Sequence, residues 1–467
     1  MFFTTKRLTM FIISIALFMD VMDSNVINTA VPAMSHTFHV SPIDIKIALI
    51  SYLLSLAIFI PISGWTADKY GTKNIFIGAL GLFTVSSFFC GYTYSLPQLV
   101  IMRFIQGIGG AFMISLSRLI LARTFKRYEL VEAMNTVIIV VSLGVMMGPF
   151  VGGVIVDHLS WPWIFWVNVP VGIFVVLLAS HSLQEIAPKN PHPFDYLGFM
   201  LFAGSLAIVC FSLSEMSESN RDLEASVMRL LIAVTMLMAY IFYAKRKSFP
   251  VIRIELFRIR TFRVSVFGNL LSRLGFGGVP FLLPLMQQVG FGFSAQLSGL
   301  LMIPIALGII FSKMTAIKIL RRVGYKKYLL VNTFLVGFVM WAFELLTAAT
   351  PLYLIALTTF IFGIFISAQY TAMNSLALAE IKDEELSAST SITSTVQIFA
   401  QSLGVAAGAI LLRIYSSHLG KKLSLTPAMF HDAFFALGII TFLSSVVFFG
   451  LKKEDGVQML RADTKEV

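Results

Sequence analysis

The chain has 467 residues, 57% of them hydrophobic and only 13% charged, and its mean hydropathy is +0.85. Soluble domains carry about 25% charged residues, so this composition excludes an ordinary soluble protein and indicates an all-α polytopic membrane protein. Lys and Arg outnumber Asp and Glu by 35 to 24, an excess that could suggest nucleic acid until its placement is read.

Apolar stretches of about 20 residues, each long enough to cross the ~30 Å hydrocarbon core as a helix, recur at 8–31, 43–66, 74–95, 98–121, 132–156, 163–182, 196–215, 225–244, 262–286, 297–319, 327–349, 352–377, 386–412 and 430–451. Fourteen spans place both termini on one face. The positive charges gather in alternate loops, at Lys6 and Arg7, Lys69 and Lys73, Arg123 to Arg127, Lys245 to Arg263, Lys318 to Lys327, and Lys452 and Lys453. Lys46, Arg221, Lys421 and Lys422 are the exceptions. By the positive-inside rule both termini are expected in the cytoplasm, in the cell (inner or plasma) membrane. The basicity then reads as topology and attraction to anionic lipid, with no nucleic-acid partner.

The first span carries two carboxylates, Asp20 and Asp23, in DVMDSNVINTAVP. An ionisable group near the bilayer centre costs at least ~2.5 kcal/mol, so it is retained where it faces protein or water. No cleavable signal peptide is expected here, because this segment is span-length and holds the acidic pair in place of a small-residue cleavage site. In the fourth span RFIQGIGGA places Arg103 and Gln106 on one helical face. Counted along their helices, Asp23 and Arg103 reach comparable depth and can meet, as a purely structural ion pair or as a functional one. Cys90 and Cys210 both fall inside spans and read as small apolar fillers with no disulfide.

The turn GWTADKYGTK combines Gly64 and Gly71, expected to permit a tight reversal, with Asp68 and Lys73. Such charges suggest a latch whose ion pairs, including one to Arg123, form in one state and separate in another. In the fifth span GVMMGPFVGG supplies Gly144 and Gly148 for close helix contact, Pro149 to bend the helix, and Gly152 and Gly153.

Two cytoplasmic turns, DKYGTK at 68–73 and RRVGYK at 321–326, resemble each other, and so do FKRYEL at 125–130 and IKDEEL at 381–386. Spans 1–6 and 9–14 therefore read as two homologous halves, with a substrate site expected between them. The expected organisation is an N-terminal six-helix half over 1–182, inserted spans 7 and 8 with a basic linker over 183–261, and a C-terminal half over 262–467. The linker KRKSFPVIRIELFRIRTF reads as a segment on the lipid surface or as a partner-binding helix, and the acidic loop 214–226 as a solvated connection.

Among the remaining intramembrane charges, Arg118 and Lys313 stand near inner helix ends and can snorkel. Arg273 is too deep for that and is expected to face the cavity or a carboxylate. Asn28, Gln106, Arg273, Gln369, Asn374 and Gln397 are the candidate substrate-cavity residues, although polar helix packing explains the spans 12 and 13 amides equally well. No G-x-x-x-x-G-K-[ST] sequence or clustered Cys/His set is present, so neither ATP hydrolysis by this chain nor a metal or redox enzyme is expected.

These motifs resemble the major facilitator superfamily, and specifically its fourteen-span drug:proton antiporters. MDSNVINTAVP is similar to their first-span signature, 64–73 to the loop between spans 2 and 3, RFIQG to the fourth-span proton-linked motif, 144–153 to the fifth-span antiporter motif, and SWPWIFWVNVPVG to the start of span 6. The resemblance implies a major facilitator fold with two inserted central helices and alternating-access, proton-coupled export of amphipathic or cationic drugs. It also implies Asp23 and Arg103 as coupling residues. Asp20 is an addition whose role the family pattern does not settle, and it is expected to share an aqueous cavity with Asp23, where it raises its neighbour's proton affinity or attracts cationic substrate. A monomer is expected, with small-molecule substrate, protons and lipid as partners and no cofactor. Thr72 stands where the family often has Arg. A dedicated exporter of one metabolite or siderophore, or a transporter-like sensor, is the alternative.

Overall fold

The computed structural model describes residues 5–185, 192–216, 223–418 and 425–460. Arg221, Lys421 and Lys422 lie outside the described residues, as do residues 217–222 of the acidic connection 214–226. Among the described residues there is no strand, and 14 helices are long and apolar enough to cross a membrane. In chain order the spans are Lys6–Phe38, Lys46–Tyr70, Thr72–Cys90, Leu96–Thr124, Glu132–His158, Trp163–Ser182, Tyr196–Glu215, Glu224–Ala244, Arg260–Gly290, Ala295–Val323, Tyr325–Glu344, Leu352–Leu378, Leu386–Ser416 and Pro427–Gly450.

Helix is imposed here because lipid offers no partner for a backbone N–H or C=O, so each span must satisfy its own. That constraint carries span 1 straight through Pro32, where an end at residue 31 was expected, to Phe38. His39 stops it with a φ of 55°. Span 9 is less regular. It runs as α-helix over Arg260–Phe276, breaks at Gly277 and Gly278, resumes at Val279–Leu285 and finishes in a π turn, Met286–Gly290.

The described chain divides into two compact units, one of Met1–Tyr196 with Phe293–Leu300, the other of Leu197–Gly292 with Leu301–Val467. Spans 7 and 8 thus group with the second unit, where Cys210 Sγ of span 7 lies 3.5 Å from Ser402 Oγ of span 13. Each unit contains one of the two similar turns, and both turn on a glycine in the left-handed region, Gly71 with φ 91° and Gly324 with φ 76°. A side chain there is strained whatever space surrounds it, which explains the shared glycine. Gly64 differs from expectation: it lies inside the second span, with nothing within 4 Å of the position a Cβ would take.

The basic linker is no continuous partner-binding helix. Before span 9 begins at Arg260, it holds the short 3-10 turn Ile254–Arg258, whose Leu256 is buried, and Tyr240 of span 8 pins the chain by accepting the Ile252 N–H at 2.8 Å.

Candidate functional site

The first unit holds a buried charge cluster built from five spans. Arg103 reaches Asp23 Oδ2 at 2.5 Å, with side chains 1% and 0% exposed. The same guanidinium nitrogen donates to Gln106 Oε1 at 2.7 Å. Gln106 Nε2 in turn donates to Asp23 Oδ1 at 3.1 Å, so the i, i+3 pair of span 4 closes on one carboxylate. Asn168 of span 6 adds a third donor, with Nδ2 at 2.8 Å from Asp23 Oδ1 and 3.3 Å from Ser87 Oγ of span 3. A buried ion pair is stable only when its remaining lone pairs and protons are satisfied, and these amides do that for Asp23.

Asp20 sits beside this cluster with a separate partner. Tyr52 of span 2 donates its hydroxyl to Asp20 Oδ1 at 2.5 Å, while the Arg103 guanidinium lies 4.1 Å over the Tyr52 ring centroid. One aromatic ring therefore touches both the second carboxylate and the cation. Gly110 makes the space, since a Cβ there would meet Asp20 Oδ1 at 2.7 Å and Tyr52 Oη at 2.9 Å. Asp20 is 3% exposed, so in this state neither carboxylate stands in an open aqueous cavity, contrary to the expectation for the pair. Burial of both is what the surrounding spans enforce. Gln106, expected in a substrate cavity, is fully buried inside the charge cluster.

The glycines of span 5 fit the cluster's own helix. A Cβ at Gly144 would lie 3.1 Å from Phe18 O, at Gly148 2.8 Å from Asn25 Cβ, and at Gly152 2.6 Å from Val26 O, so three glycines at helical spacing form one flat seam against span 1. Gly153 and Pro149 face the other way: a Cβ at Gly153 would meet Ala295 O at 2.2 Å, and Pro149 O approaches Gly299. Asp157, one turn beyond, accepts the N–H groups of Ala295 at 3.2 Å and Gln296 at 2.7 Å and so caps the start of the tenth span. Asn28, in span 1, donates to Asn25 O at 3.3 Å and keeps its Oδ1 buried without a hydrogen-bond partner.

At the turn between spans 2 and 3, Arg123 bridges to Asp68 Oδ1 at 3.3 Å and donates to Thr72 Oγ1 at 3.4 Å. The threonine that replaces a cation thus gives Arg123 a second acceptor. Lys73 contributes its backbone N–H, 3.4 Å from Glu185 Oε1.

In the second unit the candidates separate. Gln369 is buried and held by Asn332 at 2.8 Å and Thr333 at 2.9 Å, which is helix packing and no cavity lining. Gln397 Nε2, on a half-buried side chain, donates to Oδ1 of the exposed Asn374. Arg273 is 7% exposed, whereas Arg118 and Lys313 are exposed.

The Major Facilitator Superfamily profile matches residues 13–397 and, in a second alignment, 267–463. The chain belongs to the Major Facilitator Superfamily. Among its curated relatives are the putative multidrug resistance protein MdtD of Salmonella newport (strain SL254), 33% identical over 445 residues covering 95% of this chain and 94% of the relative, and that of Enterobacter sp. (strain 638), 32% identical over 443 residues covering 95% and 94%. Of solved structures, a D-xylose-proton symporter superposes with TM-score 0.69 at 13% identity, covering 97% of this chain and 99% of that one. A bacterial homolog of the human lysosomal transporter Spinster superposes with TM-score 0.68 at 15% identity and 99% coverage of both. Those two likenesses speak to the fold alone.

As a Major Facilitator Superfamily member the protein is a multi-pass secondary transporter handling small molecules. Sequence reasoning overlooked four residues of its first unit: Tyr52, Ser87, Asn168 and Asp157. Asn168 carried a usable signal, being the only amide in the aromatic run WPWIFWVNVP. Tyr52 carried none, because a tyrosine in an apolar span looks like any packing aromatic.

Proposed function

We propose that the protein is a monomeric proton-coupled antiporter of the cell membrane, with both termini cytoplasmic, that exports amphipathic small molecules by alternating access. The observation that carries this reading is the fully buried Asp23, paired with Arg103 beside a second buried carboxylate, Asp20. One guanidinium balances one carboxylate, so a site with two carboxylates is neutral when it holds one proton. When Arg103 stays on Asp23 the pair is charged and closed. When Arg103 withdraws, Asp23 is left as an uncompensated buried charge, which costs roughly 3–5 kcal/mol, and a proton on its carboxylate removes that cost. Return of Arg103 expels the proton. Tyr52, in contact with both Asp20 and Arg103, couples the second carboxylate to the same movement. The relatives' name, putative multidrug resistance protein, supports amphipathic substrates.

The test is proton release from detergent-purified protein on addition of a panel of amphipathic dyes, cationic, zwitterionic and anionic, together with uphill efflux, in proteoliposomes, of whichever bind. Asp23→Asn, which mimics a permanently protonated site, should abolish both while the protein remains folded. Asp20→Asn should retain uphill efflux and alter its pH profile. Undiminished proton release and uphill efflux in Asp23→Asn would falsify the coupling role.

A further inference from the structure

Arg103 and Arg273 are the two deeply buried arginines of the described spans, and they have contrasting company. Each guanidinium lies over a tyrosine ring, Arg103 at 4.1 Å from Tyr52 and Arg273 at 3.8 Å from Tyr370. Arg103 is neutralised by Asp23. Arg273 is not neutralised by any described residue: its one hydrogen bond runs from Nη1 to the neutral Gln401 Oε1 at 3.3 Å, and its Nε is buried with no partner. The described ion pairs of the second unit are Arg229 with Glu215 and Arg260 with Asp455, both at helix ends. A buried guanidinium without a counter-charge is strongly unfavourable, and a tyrosine face compensates only a small part of it.

The surroundings are those of a recognition site. Thr393, Gln397 and Gln401 recur at every fourth position of span 13 and share one face, while Tyr370 and Asn374 share a face of span 12. The Gln397–Asn374 hydrogen bond joins the two faces. Asn374 is exposed and Tyr370, Gln397 and Gln401 are half-buried, so the strip leading to Arg273 is accessible and too polar to face lipid tails. Span 9 breaks one turn beyond Arg273, at Gly277 and Gly278. Span 13 comes close there, Gly404 being so near that a Cβ on it would meet Arg273 O at 2.5 Å. Interrupted helices at membrane depth mark binding sites in transporters, because irregular backbone is tolerated where it lines a cavity.

We propose that Arg273 recognises an anionic group, a carboxylate or its equivalent, on the exported compound, with Gln401, Gln397 and Asn374 hydrogen-bonding the neutral remainder. The planar fork of a guanidinium suits a carboxylate in a way that a point charge does not. This rests on the reading of the protein as an exporter, and it favours organic acids and zwitterions over simple cations.

The test uses full-length protein in phosphatidylcholine nanodiscs, at fixed pH and with no gradient. The probes are two matched pairs, 1-naphthoate with 1-naphthamide and indole-3-acetate with indole-3-acetamide. At least one carboxylate should bind about tenfold or more tightly than its amide, the discrimination expected of a charge-assisted hydrogen bond. Arg273→Gln should erase that preference and leave amide binding within about twofold. Arg273→Lys, which keeps charge but not the fork, should retain part of it, and Gln401→Leu should weaken both members of a pair. Should Arg273→Gln fail to fold, the lysine and Gln401 variants carry the comparison. Asp23→Asn should keep the carboxylate preference, so a failure of proton coupling and a failure of anion recognition read out separately. Amides binding as well as acids, no binding of either, or a preference that survives Arg273→Gln would each overturn the proposal. So would a preference that disappears in phosphatidylglycerol nanodiscs, which would assign the anion to lipid.

Discussion

Asn168 directs its amide nitrogen at Asp23 Oδ1, 2.8 Å away, from the opposite end of the first six spans. That oxygen also takes the Gln106 amide at 3.1 Å, leaving Oδ2 for Arg103. Asn168 therefore positions the carboxylate that would carry the proton. A hydrogen bond to a charged group contributes ~1.5–3 kcal/mol, so Asn168→Ala should reduce proton-driven efflux by roughly tenfold or more. The pH profile of efflux in proteoliposomes is the discriminating measurement. A loss of activity at every pH in equal proportion, with no change of profile, would reduce Asn168 to a packing residue.

Gly148 and Gly64 make opposite predictions despite similar motif prominence. Gly148 lies in the seam against span 1, where added atoms meet Asn25 Cβ at 2.8 Å. Gly148→Leu should cost ~1–3 kcal/mol by overpacking and, by displacing the helix that bears Asp20 and Asp23, should stop transport. Gly64 is helical and has nothing within 4 Å, so Gly64→Ala should be neutral or raise stability by roughly 0.5–1 kcal/mol. Thermal unfolding and dye efflux on the two variants decide the matter. A tolerated Gly148→Leu sinks the seam argument.

How much of this was legible depends on what a residue type can reveal by itself. The spans were readable because lipid permits one solution, a helix that satisfies its own backbone. The meeting of Asp23 with Arg103 was readable from depth, since rise per residue places each along its helix. Gln369 illustrates the opposite case. An amide inside a span is equally satisfied by lining a cavity or by bonding its neighbours, and its partners Asn332 and Thr333 come from span 11, a contact that no local pattern announces. Gly64 failed for a related reason: a glycine near a turn resembles one in it, and only Gly71 has the positive φ.

The Asp68–Arg123 pair should govern rate more than stability. At 3.3 Å with both side chains partly exposed, it is worth only ~0–1 kcal/mol to the fold. Asp68→Asn should slow transport while leaving equilibrium dye binding within about threefold, because it biases one of two states without touching the ligand. The exchange Asp68→Arg with Arg123→Asp tests the pairing directly, and it should recover part of the lost rate. Loss of dye binding with turnover intact would contradict the latch.

Asp455 ties the chain's last described segment to the start of span 9. Its carboxylate accepts from Arg260 Nε at 2.9 Å and Nη2 at 2.5 Å, and from the Lys452 N–H at 2.9 Å. Burial by itself would raise its pKa, but the Arg260 and Lys452 hydrogen bonds outweigh burial and hold the group below the ordinary carboxylate value. A group depressed on folding contributes stability that is complete above its unfolded pKa, about 3.9, and is lost as pH falls through the lower folded value. Asp455→Asn should therefore melt a few degrees below the wild type at neutral pH, and the gap should narrow as the solution is taken below about pH 4. Transport at neutral pH should be retained, since this anchor lies outside both the charge cluster of the first unit and the Arg273 strip. A melting difference that stays constant from neutral to acid pH would show that Asp455 acts through packing, and that its ion pair with Arg260 does not hold this segment in place.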